Sequence, residues 1–180
     1  MREGSALIGL AGETLSSARG HIIAMTWVGD FVPRVRACLD RLFAPSDWPA
    51  VPELELADAT ELAYEFVRIV YNLHAVDAAL SEMVRLHGAL AHNCRLCKSV
   101  RSRATLQAGA TEADFAAIDD FERGTLSAAQ KTALALVDSI IWTSARTDNS
   151  AVAAVRAQFT PTQAVEIVLD VMRNAWNKRL

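Results

Sequence analysis

Two cysteines, in the arrangement Cys94-Arg95-Leu96-Cys97, are the residues of this 180-residue chain best suited to chemistry. They lie in SEMVRLHGALAHNCRLCKSVRSR, residues 81–103, with Glu82 twelve positions before the first thiol and Arg101 four positions after the second. A helix beginning at Asn93 places Cys94 in its first turn. The partial positive charge there lowers a thiol's pKa and favours the reactive thiolate. The C-x-x-C spacing lets the sulfurs bond across one turn, so one thiol can attack a peroxide or disulfide and the other resolve the product. Cys94, Cys97 and Arg101 stand at i, i+3 and i+7 and share one face of such a helix. Arg101 carries a permanent charge that can stabilise a thiolate or bind an anion but cannot accept a proton. A hairpin with the preceding helix brings Glu82 back to the thiols, where a carboxylate among apolar residues is a candidate general base. His92, two residues before the first cysteine, is a second group able to move a proton.

A metal site is a poorer reading of the same residues. Structural zinc takes four ligands, no second C-x-x-C exists, and H-N-C-R-L-C crowds three donors into six residues even with His87 nearby. No metal and no cofactor is expected. The third cysteine, Cys38, lies in an apolar helical pattern and reads as a small buried hydrophobe.

The elements that must hold this stretch are helical throughout. Ile22, Met25, Val28, Val32, Val35, Leu39 and Leu42 recur every three or four residues as one helix face would, with Pro33 predicting a kink or a break. Residues 44–55 carry three of the five prolines and read as a connector, with Trp48 as a loop anchor. Asp58-Ala-Thr-Glu61 has capping-box character and opens a helix to about His74. Ser81 is placed to cap the helix containing Glu82, which Asn93 breaks or caps. A second helix is predicted from the cysteines to Gly109, a natural left-handed stop. Thr111 opens a short helix towards Phe121. Ser127-Ala-Ala-Gln130 is a full capping box ahead of Ala133, Leu134, Val137, Ile140 and Ile141. Asp148 or Asn149 starts another helix. Thr160-Pro161-Thr162-Gln163 combines an N-cap, proline at the first helical position and glutamine at the third, ahead of a last helix carrying Val168, Met172 and Trp176. No segment alternates with period two. The expected fold is all-α, with residues 1–44 an N-terminal helical extension and 45–180 a helical domain built around a hairpin that carries the C-x-x-C.

Composition narrows the function classes. Hydrophobic residues make up 52% of the chain and mean hydropathy is +0.17, apolar for a water-exposed protein, so part of the surface is expected to form a subunit interface in a homo-oligomer. No run approaches the roughly 18 apolar residues that a spanning helix needs. The N-terminal apolar run is interrupted by Glu13 and has no small-residue cleavage site, so a signal peptide is not expected. Net charge is −3 and pI about 5.8, which argues against a nucleic-acid partner held through phosphates. An odd number of cysteines, two in C-x-x-C register, fits a reducing compartment such as the cytoplasm.

Glu82 followed at a distance of twelve by Cys94-Arg95-Leu96-Cys97 resembles the core motif of the alkyl hydroperoxidase D (AhpD)/carboxymuconolactone decarboxylase family: a glutamate, eleven residues, C-x-x-C, three residues, then histidine. The downstream pattern LSAAQKTALALVDSIIW and FTPTQAVEIVLDVMRNAWNK is similar too, and the likeness covers roughly residues 45–180. The resemblance implies an AhpD-like all-α fold, assembly as a homo-oligomer, and a thiol-based antioxidant peroxidase or disulfide reductase. Cys94 and Cys97 match the redox pair and Glu82 the proton-relay acid; a hydroperoxide or disulfide is the substrate and a dithiol or lipoyl-type group the reductant. The relay histidine's position holds Arg101, and Leu96 stands where some members place another histidine. Because arginine cannot cycle a proton, a redox role ranks above peroxidase activity by the full relay. Two other readings use the same residues: a decarboxylase-type enzyme in which Arg101 clamps a substrate carboxylate, and a non-catalytic redox-sensing oligomer.

Overall fold

A computed structural model describes residues 2–43, 56–144 and 147–178, with side chains over 18–43, 59–144 and 147–178. The connector at 44–55, with Trp48, lies outside the described residues. Every regular element among them is a helix: α1 (Arg2–Leu42), α2 (Leu56–Tyr71), α3 (Ala78–Ala91), α4 (Arg95–Ser99), α5 (Arg103–Gln107), α6 (Glu112–Ala116) with a 3-10 turn over Ala117–Asp120, α7 (Ala128–Trp142), α8 (Asn149–Gln158) and α9 (Pro161–Asn177). The all-α architecture is that expected from the sequence. α3, which precedes the cysteines, packs between α7 and α9, while α1 and α2 lie against α9.

Local signals set most of the helix ends. Ser127 and Thr160 form the reciprocal capping boxes with Gln130 and Gln163, Thr111 does the same with Asp114, and Asp148 caps α8. Other expectations are corrected. α2 begins at Leu56, two residues before Asp58, and ends at Tyr71. The cap of α3 is Asp77, whose carboxylate accepts from the Leu80 amide at 2.9 Å, whereas Ser81 lies inside the helix and donates to Asp170 at 2.5 Å. Pro33 stands within one continuous α1. It and Gly29, the residue four positions earlier whose carbonyl loses its partner, are both exposed, so water can take up that oxygen.

The buried face of α1 also differs from the expected one. Ala24, Trp27, Phe31, Val35, Cys38 and Leu42 are buried, at helical spacing, while Ile22, Met25 and Val32 are exposed. The helix has two apolar faces, and the one bearing the large rings packs inward. The Trp27 indole donates to the Met172 carbonyl at 2.8 Å and meets Trp176 and Phe66 edge-on at 5.4 and 5.3 Å. These α1 residues share one core with α3, α7 and α9.

A polar seam on α9 fixes the start of α3. Glu166 accepts from the amides of Ala75 and Val76 at 2.7 and 3.2 Å, and Asp170 pairs with Arg173 at 2.9 Å. Burial raises the Asp170 carboxyl above the usual aspartate value, against the opposing pull of Arg173 and the Ser81 hydroxyl. A carboxyl that holds its proton more tightly folded than unfolded stabilises the fold while protonated, and that contribution falls as pH rises above the ordinary aspartate range. Arg173→Met leaves a buried carboxylate without its cation and is expected to cost about 3 kcal/mol at neutral pH. The loss should shrink on acidification as Asp170 takes up a proton. Urea unfolding of both chains at pH 5 and pH 7.5 checks this, and a pH-independent difference would contradict it.

Candidate redox site at the C-x-x-C turn

The site is built where α3 stops. Asn93 adopts a left-handed conformation, φ 50°, its amide bonding the Leu90 carbonyl at 3.0 Å while the Cys94 amide reaches back to Ala89 at 3.0 Å. This pair of bonds is a Schellman stop with asparagine in the position glycine usually takes. Cys94 therefore ends one helix and, as N-cap, begins the next: its Sγ accepts from the Cys97 amide at 3.3 Å. Cys94 and Cys97 lie at disulfide distance, their Cα atoms 5.3 Å apart, and both are half-buried on the turn. Cys38 is the contrasting thiol. It is fully buried, and burial pushes it up to about 12, so it stays protonated and inert.

The long second helix expected from the cysteines to Gly109 is not formed. α4 has five residues, Val100 is extended, and α5 restarts at Arg103; only the stop at Gly109, φ 90°, falls where expected. The cause is polar groups from α3. In a continuous helix the Ser102 amide would bond the Lys98 carbonyl. Here it donates to Oε1 of Glu82 at 2.9 Å, and Lys98's carbonyl accepts from Arg101 at 2.6 Å instead. Arg85 donates to the carbonyls of Cys97 at 2.8 Å and Val100 at 2.6 Å. Side chains thus satisfy the backbone groups a longer helix would have paired internally.

Arg85 is the residue that sequence reasoning missed. It grips Glu82 through the Nε–Nη2 edge of its guanidinium, each bond 2.7 Å, in a fork that matches the carboxylate. Its position three residues after Glu82 on one helix was the available signal. Glu82, 3% exposed, has both oxygens engaged by Arg85 and Ser102.

Arg101 does not meet Glu82. It lies beyond the end of α4, so the shared face expected with the cysteines is absent. Its guanidinium pairs with Glu112 through two bonds of 2.9 Å, donates to the carbonyls of Lys98 and Val100, and stacks 5.3 Å from the Phe115 ring. The sequence-predicted set is therefore brought together only in part. Cys94 and Cys97 meet, Glu82 reaches the turn through Arg85, and Arg101 braces it from the other side. His92 caps α3 with its ring Nδ1 bonded to Gly88's carbonyl at 2.8 Å, so Nδ1 carries a proton. His87 bonds Asp138 at 2.9 Å. Beside the turn is a cavity of about 240 Å³, floored by Leu86, Leu90, Phe115 and Ile118 and rimmed by Lys98, Arg101, Glu112 and Asp119.

Comparison with known proteins adds relatives but no activity. Two proteins from strains of Mycobacterium tuberculosis, each named only as an uncharacterized protein, are 38% identical to this chain over 172 residues. The match takes in 89% of this chain, which spans 59% of the length of those curated relatives. No family model matches the chain, and no solved structure is significantly similar to it.

The two arginine braces differ in burial, and so in weight. Arg85→Met strands the buried Glu82 carboxylate and should cost about 3 kcal/mol, whereas Glu112 is 69% exposed and Arg101→Met should cost about 1 kcal/mol or less. Urea unfolding of the two variants tests the ranking, and equal losses would remove Arg85 from its place as principal anchor.

Proposed function

We propose that this protein is a thiol–disulfide oxidoreductase of the AhpD-like type, with Cys94 and Cys97 cycling between dithiol and disulfide. The observation that carries the reading is the pair itself, at disulfide distance on an accessible turn, with one sulfur receiving an amide hydrogen bond. A hydrogen bond to a sulfur favours its thiolate, so Cys94 is assigned the attack. Its thiolate displaces one sulfur of a substrate disulfide and forms a mixed disulfide. Cys97 then attacks Cys94, releasing the second substrate thiol and closing the Cys94–Cys97 bond. The substrate gains two electrons and two protons, and an external dithiol, lipoyl-type or protein-borne, returns the enzyme to its reduced form.

Disulfides suit this site better than hydroperoxides. A peroxide's leaving oxygen needs a proton at the moment of cleavage. Arg101 cannot cycle one, and the protonated nitrogen of His92 is bonded within its own helix. Arg101 is also poorly suited to clamp a substrate carboxylate, since four of its five N–H donors are taken by Glu112 and two backbone carbonyls. Glu82 serves as the anchor of Arg85. A homo-oligomer in the reducing cytoplasm completes the proposal. The exposed Ile22, Met25 and Val32 on α1, with Leu62 and Ile69 on α2, support a subunit interface.

Trapping separates the roles. With a small disulfide, reduced Cys97→Ser should accumulate a mixed disulfide at Cys94, seen by intact-mass and peptide analysis, while Cys94→Ser should not. The parent chain should lose two hydrogens on oxidation, and Cys38 should resist alkylation in the native state. Trapping only at Cys97 would reverse the assignment. A pair that never turns over with a dithiol donor would sink the enzyme reading.

A further inference from the structure

The surface around the disulfide differs in charge from the rest of the chain. Between Met83 and Thr111 there are five cations, Arg85, Arg95, Lys98, Arg101 and Arg103, and no carboxylate, in a chain of net charge −3. Glu82 neutralises Arg85 and Glu112 neutralises Arg101. Arg95, Lys98 and Arg103 pair with no carboxylate among the described residues. Arg95 and Arg103 are exposed, and the amine of the half-buried Lys98 donates to the Asn93 amide oxygen at 2.8 Å. Apolar side chains are interleaved with them: Leu96, between the two cysteines, is 73% exposed, Val100 is 50% and Leu106 is 48%.

Among the described residues, no packing covers these apolar side chains and no carboxylate meets these three charges. An isoleucine- or leucine-sized side chain left in water forgoes about 1.5–3 kcal/mol of burial, and three unpaired cations within nine residues repel one another. Both suit a partner that presents carboxylates around an apolar centre, since complementary charge speeds encounter and apolar contact retains the partner. We infer that this surface docks an acidic polypeptide segment carrying the disulfide or dithiol that exchanges with Cys94 and Cys97. The inference deepens the redox reading and rests on it for the chemistry, but the docking itself is separable. Leu96 lies within the reactive turn, so a segment seated there brings its own sulfur to Cys94 without a deep pocket. The aliphatic rather than aromatic character of the patch favours a polypeptide over stacked nucleic-acid bases.

The test uses three short peptides, alike except that one disulfide is flanked by leucine with glutamate, serine or lysine. Exchange with the reduced protein should run about tenfold faster for the glutamate peptide than for the serine peptide, and slowest for lysine. The spread should narrow at 0.5 M salt. Arg95→Glu with Arg103→Glu should invert the order; rates are read as ratios between peptides, so any general effect on the thiols cancels. Binding of the same peptides to Cys94→Ser/Cys97→Ser, followed by fluorescence anisotropy, isolates docking from chemistry. Charge-ordered binding without exchange would defeat the redox reading and leave the docking surface standing. Binding blind to peptide charge, or an order unmoved by the double reversal, would overturn the docking inference. Equal affinity for phosphatidylserine vesicles or a single-stranded oligonucleotide would overturn it too, by assigning the surface to a membrane or to nucleic acid.

Discussion

A carboxylate as deeply buried as Glu82 must find partners for both oxygens, and the way it does so shapes the site. Arg85, one turn along α3, supplies the charge, and the Ser102 amide supplies the remaining hydrogen bond. That amide is drawn away from the helical ladder, and the chain must leave helical geometry to deliver it. Arg85 then has donors to spare, and they close on the carbonyls of Cys97 and Val100. One buried ion pair thereby ends α4 after five residues and ties the C-x-x-C turn to the helix beneath it. A helix that short does not hold itself in water, because nucleation costs more than a single turn returns. α4 persists because Cys94 caps its start and two guanidinium groups cover its end.

The platform beneath the turn is fixed at both ends. At its start, Asp77 caps α3 and the Glu166 carboxylate holds the preceding amides. At its end, the left-handed Asn93 delivers Cys94 directly from one helix to the next. Burial, rather than residue type, separates the three cysteines. Cys38 is sealed in the core and loses its acidity, while the pair at the turn remains reachable from solvent. A sealed thiol and an accessible pair thus coexist in one chain.

Most of the helices were legible in the sequence, because their signals are local. Capping boxes at Ser127 and Thr160, proline at the first position of α9, and the apolar spacing of α7 each depend on residues within one or two turns. The same holds for the thiol pair, whose C-x-x-C spacing alone puts two sulfurs within bonding reach, and for Asn93, whose tolerance of left-handed geometry marks a helix stop.

What the sequence could not show was decided by groups distant in the chain. Both faces of α1 are apolar, and only the position of α9, with Met172 and Trp176, selected the face bearing Trp27 and Phe31. The break at Val100 has no local cause; it exists because Glu82 and Arg85, up to twenty residues earlier, outbid the helix for its own backbone groups. For the same reason Arg101 left the face of the cysteines and settled on Glu112. Local signals along the chain specify helices throughout and place two thiols one turn apart. Tertiary structure decided which charges reach that pair, because buried polar groups must be satisfied by whichever partners the fold brings near.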